Sequence, residues 1–151
     1  MTRERFQYVV DEMLSRLDSD LNVVLEDAFP GKRLVGGKYS LSTRSITMFM
    51  KDVTEQCLRL FPGDELLLDY FKVVFAHELG HAYDEKLIEL ADQLDEADGT
   101  ERNLLMLEIE ENAWRFARSI LPDITLSFVE EIESQSLAPY YLAVEKDRIP
   151  A

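Results

Sequence analysis

Val73-Val74-Phe75-Ala76-His77-Glu78-Leu79-Gly80-His81-Ala82-Tyr83-Asp84 is the stretch from which the rest of this chain is read. Residues four apart on a helix lie one above the other on the same face. His77 and His81 can therefore aim two imidazoles at one metal ion, and Glu78 can reach a water bound to it. The chain has only two histidines in 151 residues, and both fall here. Chance placement of two histidines four apart, with Glu after the first, has a frequency of roughly 0.2%, so the pattern is a signal. The preceding residues, Leu66-Leu67-Leu68, Tyr70-Phe71 and Val73 to Ala76, are apolar almost all round and predict a buried central helix. Histidines continuing such a helix need partners, because unpaired buried polar groups are costly. A metal would satisfy both.

A catalytic zinc takes three protein ligands and leaves a position open for water. With no third His and a single upstream Cys57, the remaining ligand should be a carboxylate. Glu101, Glu108, Glu110 and Glu111 lie on the next expected helix. Glu110 shares its face with Met106, Ala113, Ala117 and Leu121, a stripe with small residues that allows close helix approach. A carboxylate in that stripe would be buried and in need of a cation. Glu110 is therefore preferred over Glu111, which lies beside Leu107, Trp114 and Arg118. Asp84, seven residues after His77, is the other alternative, although a third ligand so close on one helix would strain tetrahedral geometry.

Working outward, Phe6, Val9, Val10, Met13, Leu14, Leu17, Leu21, Val24, Leu25 and Ala28 repeat at helical spacing and predict one helix, kinked near Asp18-Ser19-Asp20 and ended by Phe29-Pro30-Gly31. Leu34 to Met50 is rich in β-favouring residues, with Ser42-Thr43-Arg44 as the turn of a hairpin. Gly36-Gly37 marks a bulge, a turn or a close approach of another segment. Asp52 reads as the N-cap of a short helix over 53–60. The motif helix is expected from about Asp64 to Asp92, a second long helix over 101–121, and a shorter one over 124–134. The tail, 137–151, has no clear period. No repeat, linker or low-complexity segment divides the chain, so one domain over 1–151 is expected.

An apolar fraction of 46% is that of a globular domain. A net charge of −14 argues against nucleic acid or an anionic membrane surface as partner. One cysteine excludes an internal disulfide framework and suits a reducing compartment. There is no signal peptide core and no stretch apolar enough to span a bilayer. A cytoplasmic location is expected.

His77-Glu78-Leu79-Gly80-His81-Ala82-Tyr83-Asp84 followed by Glu110-Glu111-Asn112-Ala113 resembles the gluzincin branch of the zincin metallopeptidases, whose third zinc ligand lies in a downstream Glu-x-x-Ala. The small size is similar to the minigluzincins. Glu110, Ala113, Phe116, Ala117 and Pro122 also resemble the corresponding helix of ImmA/IrrE-type peptidases. These likenesses cover His77 to Pro122. They imply an α+β, zincin-like fold, with a small mixed sheet whose edge strand lies over a helical active-site core. They imply Zn2+ on His77, His81 and Glu110, and Glu78 as general base. They also imply that Ser45 to Met50 is the edge strand, with Ile46, Thr47, Met48 and Phe49 binding a peptide or protein substrate. Trp114 departs from the family: thermolysin-like members carry an acid there, and indole donates but cannot accept. The oxyanion donor is open among Tyr39, Tyr83, Tyr140 and Tyr141.

The function expected is peptide-bond hydrolysis by a zinc-activated water. The alternatives are a catalytically inactive or latent zincin-like binding module, the tail folding into the cleft in the latent case, and a metal-free acidic interaction protein.

Overall fold

Asp18 ends the first helix early. Its backbone is left-handed (φ 49°), and the Ser19 hydroxyl accepts the Leu21 amide at 3.3 Å. The structure, a computed structural model, describes residues 2–148. In it α1 is Arg3–Arg16, and the residues expected to prolong it form strand β1, Asn22–Glu26. Leu21, Val24, Leu25 and Ala28 have helical spacing, but the strand buries Leu25 and half-buries Val23, leaving Val24 and Ala28 outside. Pairing with another strand overrides the local period there.

The hairpin forms as expected. β2, Gly37–Ser40, runs antiparallel to β3, Ser45–Phe49, around a turn in which Arg44 is left-handed (φ 49°). β1 pairs parallel to β3, giving the order β1-β3-β2. The three-stranded mixed sheet and six helices among the described residues make an α+β fold. β3 is thus the central strand, which corrects the expectation that Ser45 to Met50 form the edge. Ile46 and Met48 are fully buried, Phe49 nearly so and Thr47 half-buried. A strand paired on both sides has no free backbone groups to offer a peptide.

α2, Met50–Leu60, follows β3 without a break. Asp52 lies inside its first turn and is 5% exposed, so it does not cap this helix. Its carboxylate instead accepts the amides of Phe29 (3.1 Å) and Val35 (2.8 Å), holding the 27–36 loop onto α2.

α3, Leu67–Ala82, is the central helix, packed on α1, α2, α5 (Gly99–Ser119) and the sheet. Phe71, Val73, Phe75, Ala76 and Leu79 are fully buried. It stops at the motif rather than running on to Asp92. Asp84 accepts the Lys86 amide at 3.0 Å, and a separate helix α4, Leu87–Glu96, follows. A short acidic side chain that captures a nearby backbone amide competes with helix continuation.

α3 and α5 cross at Gly80. A Cβ there would overlap the Ala113 carbonyl and lie 2.7 Å from Ala113 Cα. Gly37 plays the same part for the sheet: a Cβ on it would be 2.8 Å from Glu78 Cγ. The tail expectation is corrected too. Leu126–Arg148 is one helix, α6, with Pro139 inside it; residues 149–151 of the expected tail lie outside the described residues. Val129, Ile132, Leu137 and Val144 are buried against the core.

Candidate metal centre

α3 delivers His77, Glu78 and His81 from its last turn, and α5 delivers Glu110 from its middle. Gly80 and Ala113 bring the two backbones together beside these residues, so the side chains meet. His77 Nε2 is 3.0 Å from one Glu110 oxygen, and His81 Nε2 is 3.1 Å from the other. His77 Nδ1 is 3.1 Å from Glu78 Oε2. All four side chains are at most 14% exposed.

His77 thus has a carboxylate on each ring nitrogen, an arrangement fully satisfied only by imidazolium. Burial by itself would lower its pKa. The charge of Glu78 and the hydrogen bonds to Glu110 and Glu78 outweigh burial and lift it to about 10. Glu110 is the counterpart. Burial would raise its pKa, but the hydrogen bonds from His77 and His81 draw it down to about 2.

His77, Glu78 and His81 each offer a donor atom within 4.8 Å of one another, a group that can hold a metal ion. Two imidazole nitrogens and a carboxylate oxygen suit a tetrahedral ion. Bonds of 2.0–2.2 Å give a tetrahedron with edges of about 3.3–3.6 Å. The His–Glu110 separations of 3.0 and 3.1 Å end on different oxygens, so Glu110 faces both imidazoles at once.

The two other candidate ligands are engaged elsewhere. Glu111 accepts the Tyr141 hydroxyl at 2.6 Å. Asp84 accepts the Lys86 amide and the Asn112 side chain, the latter at 3.3 Å, and so ties the end of α3 to α5.

Beside the cluster is a cleft of about 770 Å3. One wall is Arg33 to Gly37, another is Gln56 and Arg59 of α2, and a third is Ile132, Gln135, Ser136, Pro139 and Tyr140 of α6. Ile46, Thr47, Met48 and Phe49 do not line it; the strand bordering it is β2, through Gly37. Among the described residues β2 pairs only with β3, so its other edge is unpaired there. Of the four open tyrosines, Tyr140 is the one in the cleft. Burial, followed by the charge of Glu110, raises its pKa, so it stays a hydrogen-bond donor.

Two features escaped sequence reasoning. Trp114 stacks on His77 at 4.7 Å between centroids and donates to the Ser136 hydroxyl at 3.2 Å, linking α5, α3 and α6. Its place four residues after Glu110 was the available signal, since i and i+4 share a face. The acceptor for His77 Nδ1 is Glu78, its own neighbour, which motif spacing does not reveal.

No protein-family model, curated protein or solved structure gives a significant match to this chain. Function must be read from the side chains themselves.

Proposed function

We propose that this protein is a zinc-dependent peptidase of zincin type. The observation that carries the reading is the contact of Glu110 with both imidazoles, 3.0 Å to His77 and 3.1 Å to His81, with Glu78 beside them in an open cleft. Two imidazoles and one carboxylate are a donor set that zinc uses in hydrolytic sites. When bound there, zinc supplies an acidified water and polarises a carbonyl.

The chain's own groups supply the rest. His77, His81 and Glu110 hold the ion. Glu78 takes a proton from the attacking water and passes it to the leaving amine nitrogen as the C–N bond breaks. Tyr140 donates a hydrogen bond to the carbonyl oxygen as negative charge develops on it. The open edge of β2 offers backbone groups to an extended peptide, which brings alternate side chains into the cleft. Trp114 fixes the plane of the His77 ring by stacking.

The test is metal analysis together with Glu78→Gln. The purified protein should carry one zinc per chain, and the Gln variant should keep it while losing at least a thousandfold in turnover of an unstructured protein such as casein. Equal proteolysis by the variant would refute the role of Glu78.

A second reading, a metal-binding module without turnover, draws on the hydrogen bond between Glu78 and His77 Nδ1, the contact of a carboxylate that orients a ligand. In that case Glu78→Gln lowers zinc affinity, and the wild-type protein has no hydrolysis to lose.

A further inference from the structure

Acidic side chains outnumber basic ones 30 to 16 in this chain. The cleft does not share that excess, with two acids and two arginines on its walls. The only acids lining it, Glu78 and Glu110, are already hydrogen-bonded to the histidines. The other charged groups on its walls are Arg33 and Arg59. Arg59 shares its charge with Glu55 at 3.1 Å, an exposed pair of the kind that contributes little and opens readily. Arg33 has no carboxylate within 4.0 Å among the described residues. Its guanidinium rests over the Phe29 ring, 5.9 Å from the centroid.

The loop carrying Arg33 is also held in place. The Asp52 carboxylate binds the amides of Phe29 and Val35, one on each side of Arg33 in the chain. An arginine resting over an aromatic ring, on a loop held at both sides, loses less side-chain entropy when it takes an anion than a wholly free one. Its fork of N–H donors matches a carboxylate with two parallel hydrogen bonds. Gln56, Gln135 and Ser136, neutral polar groups lining the same cleft, do not compete for the charge.

We infer that the cleft selects peptides bearing a carboxylate close to the bond to be cut, held by Arg33, with Arg59 as the second cation on its walls. This rests on the peptidase reading and names its substrate class. The carboxylate has two sources, an acidic side chain or a free C-terminus. The outer surface, net acidic, repels such peptides at long range. The arginines therefore discriminate at contact and do not steer from a distance.

The test uses fluorescein-labelled nine-residue peptides and the zinc-loaded Glu78→Gln protein, which binds without cutting. One set differs only in Glu, Gln or Lys beside the central bond. A second set, neutral in its side chains, ends in a free acid or an amide. The Glu peptide should bind about tenfold tighter than the Gln peptide and tighter still than the Lys peptide. A matching acid-over-amide preference instead identifies the C-terminus as the source. Adding Arg33→Gln should bring the preferred pair within twofold, and Arg33→Lys should restore part of the gap, which a merely structural role would not do. Binding that ignores charge in both sets, or favours Lys, overturns the inference. Failure of the peptidase reading looks different: the wild-type protein cuts none of the peptides. Wild-type protein that cuts Glu, Gln and Lys peptides equally sinks only the present inference.

Discussion

His77 stands between two carboxylates, and its ionisation governs how the metal-free protein responds to pH. Its folded pKa is raised, to about 10. The stabilisation from this charge is fully present below the unfolded value near 6.5 and is lost as pH rises through about 10. Glu110 works in the opposite direction. With its folded pKa near 2, its contribution is present above the unfolded value near 4.5 and is lost as pH falls through 2. Thermal unfolding in EDTA should therefore show a melting temperature that declines steadily between pH 7 and 10. Glu110→Gln should flatten much of that decline, and a flat wild-type profile would count against a charged His77. On the proposed reading zinc displaces the same proton, so its binding at pH 7.5 should release protons, measurable as a buffer-dependent heat. Trp114, the sole tryptophan, lies on the His77 ring, so its emission should change during the same titration and stop at one equivalent.

Among the elements, the α3–α5 crossing sets the spacing of the proposed metal ligands. Gly80 permits it, and Gly80→Ala would press a methyl onto the Ala113 carbonyl, backbone that cannot turn aside. The expected cost is about 3 kcal/mol, with zinc affinity falling at least tenfold as His81 and Glu110 part. Retention of both under equilibrium denaturation and competitive chelation would rule out the tight crossing. α6 is the other decisive element. Removing residues 137–151 takes away buried Leu137 and Val144 as well as Tyr140. Burial of two such side chains contributes about 4 kcal/mol, so truncation should lower the melting temperature sharply and abolish turnover. A truncated protein that is stable and more active would instead make the tail an inhibitor. The crossing was legible in the sequence because Gly80, Ala113 and Ala117 are small residues flanking the proposed ligands. α6 was not, because Pro139 reads as a helix breaker. Inside a helix packed on both sides of the proline, tertiary burial overrides that signal. The same physics hid β1, whose apolar residues fit a helical period until a parallel partner 23 residues further on claims them.

At the scale of the whole molecule, the two helices that carry the proposed ligands were readable, because burial and the His77–His81 spacing both act at intervals of three and four. The strand order was not, since it depends on which edge of a short hairpin a distant segment joins. That misplaced the expected peptide track onto β3, whereas β2 borders the cleft. Among the described residues no helix is long and apolar enough to cross a membrane. The order β1-β3-β2 has one further consequence, for synthesis. All three strands are complete by Phe49, but the helix that covers Ile46 and Met48 starts only at Leu67. On the ribosome the sheet emerges without its packing on α3 until that helix follows. A fragment ending at residue 66 should thus be insoluble or unfolded, and pulse proteolysis of stalled nascent chains should show protection only once residue 82 has cleared the exit tunnel.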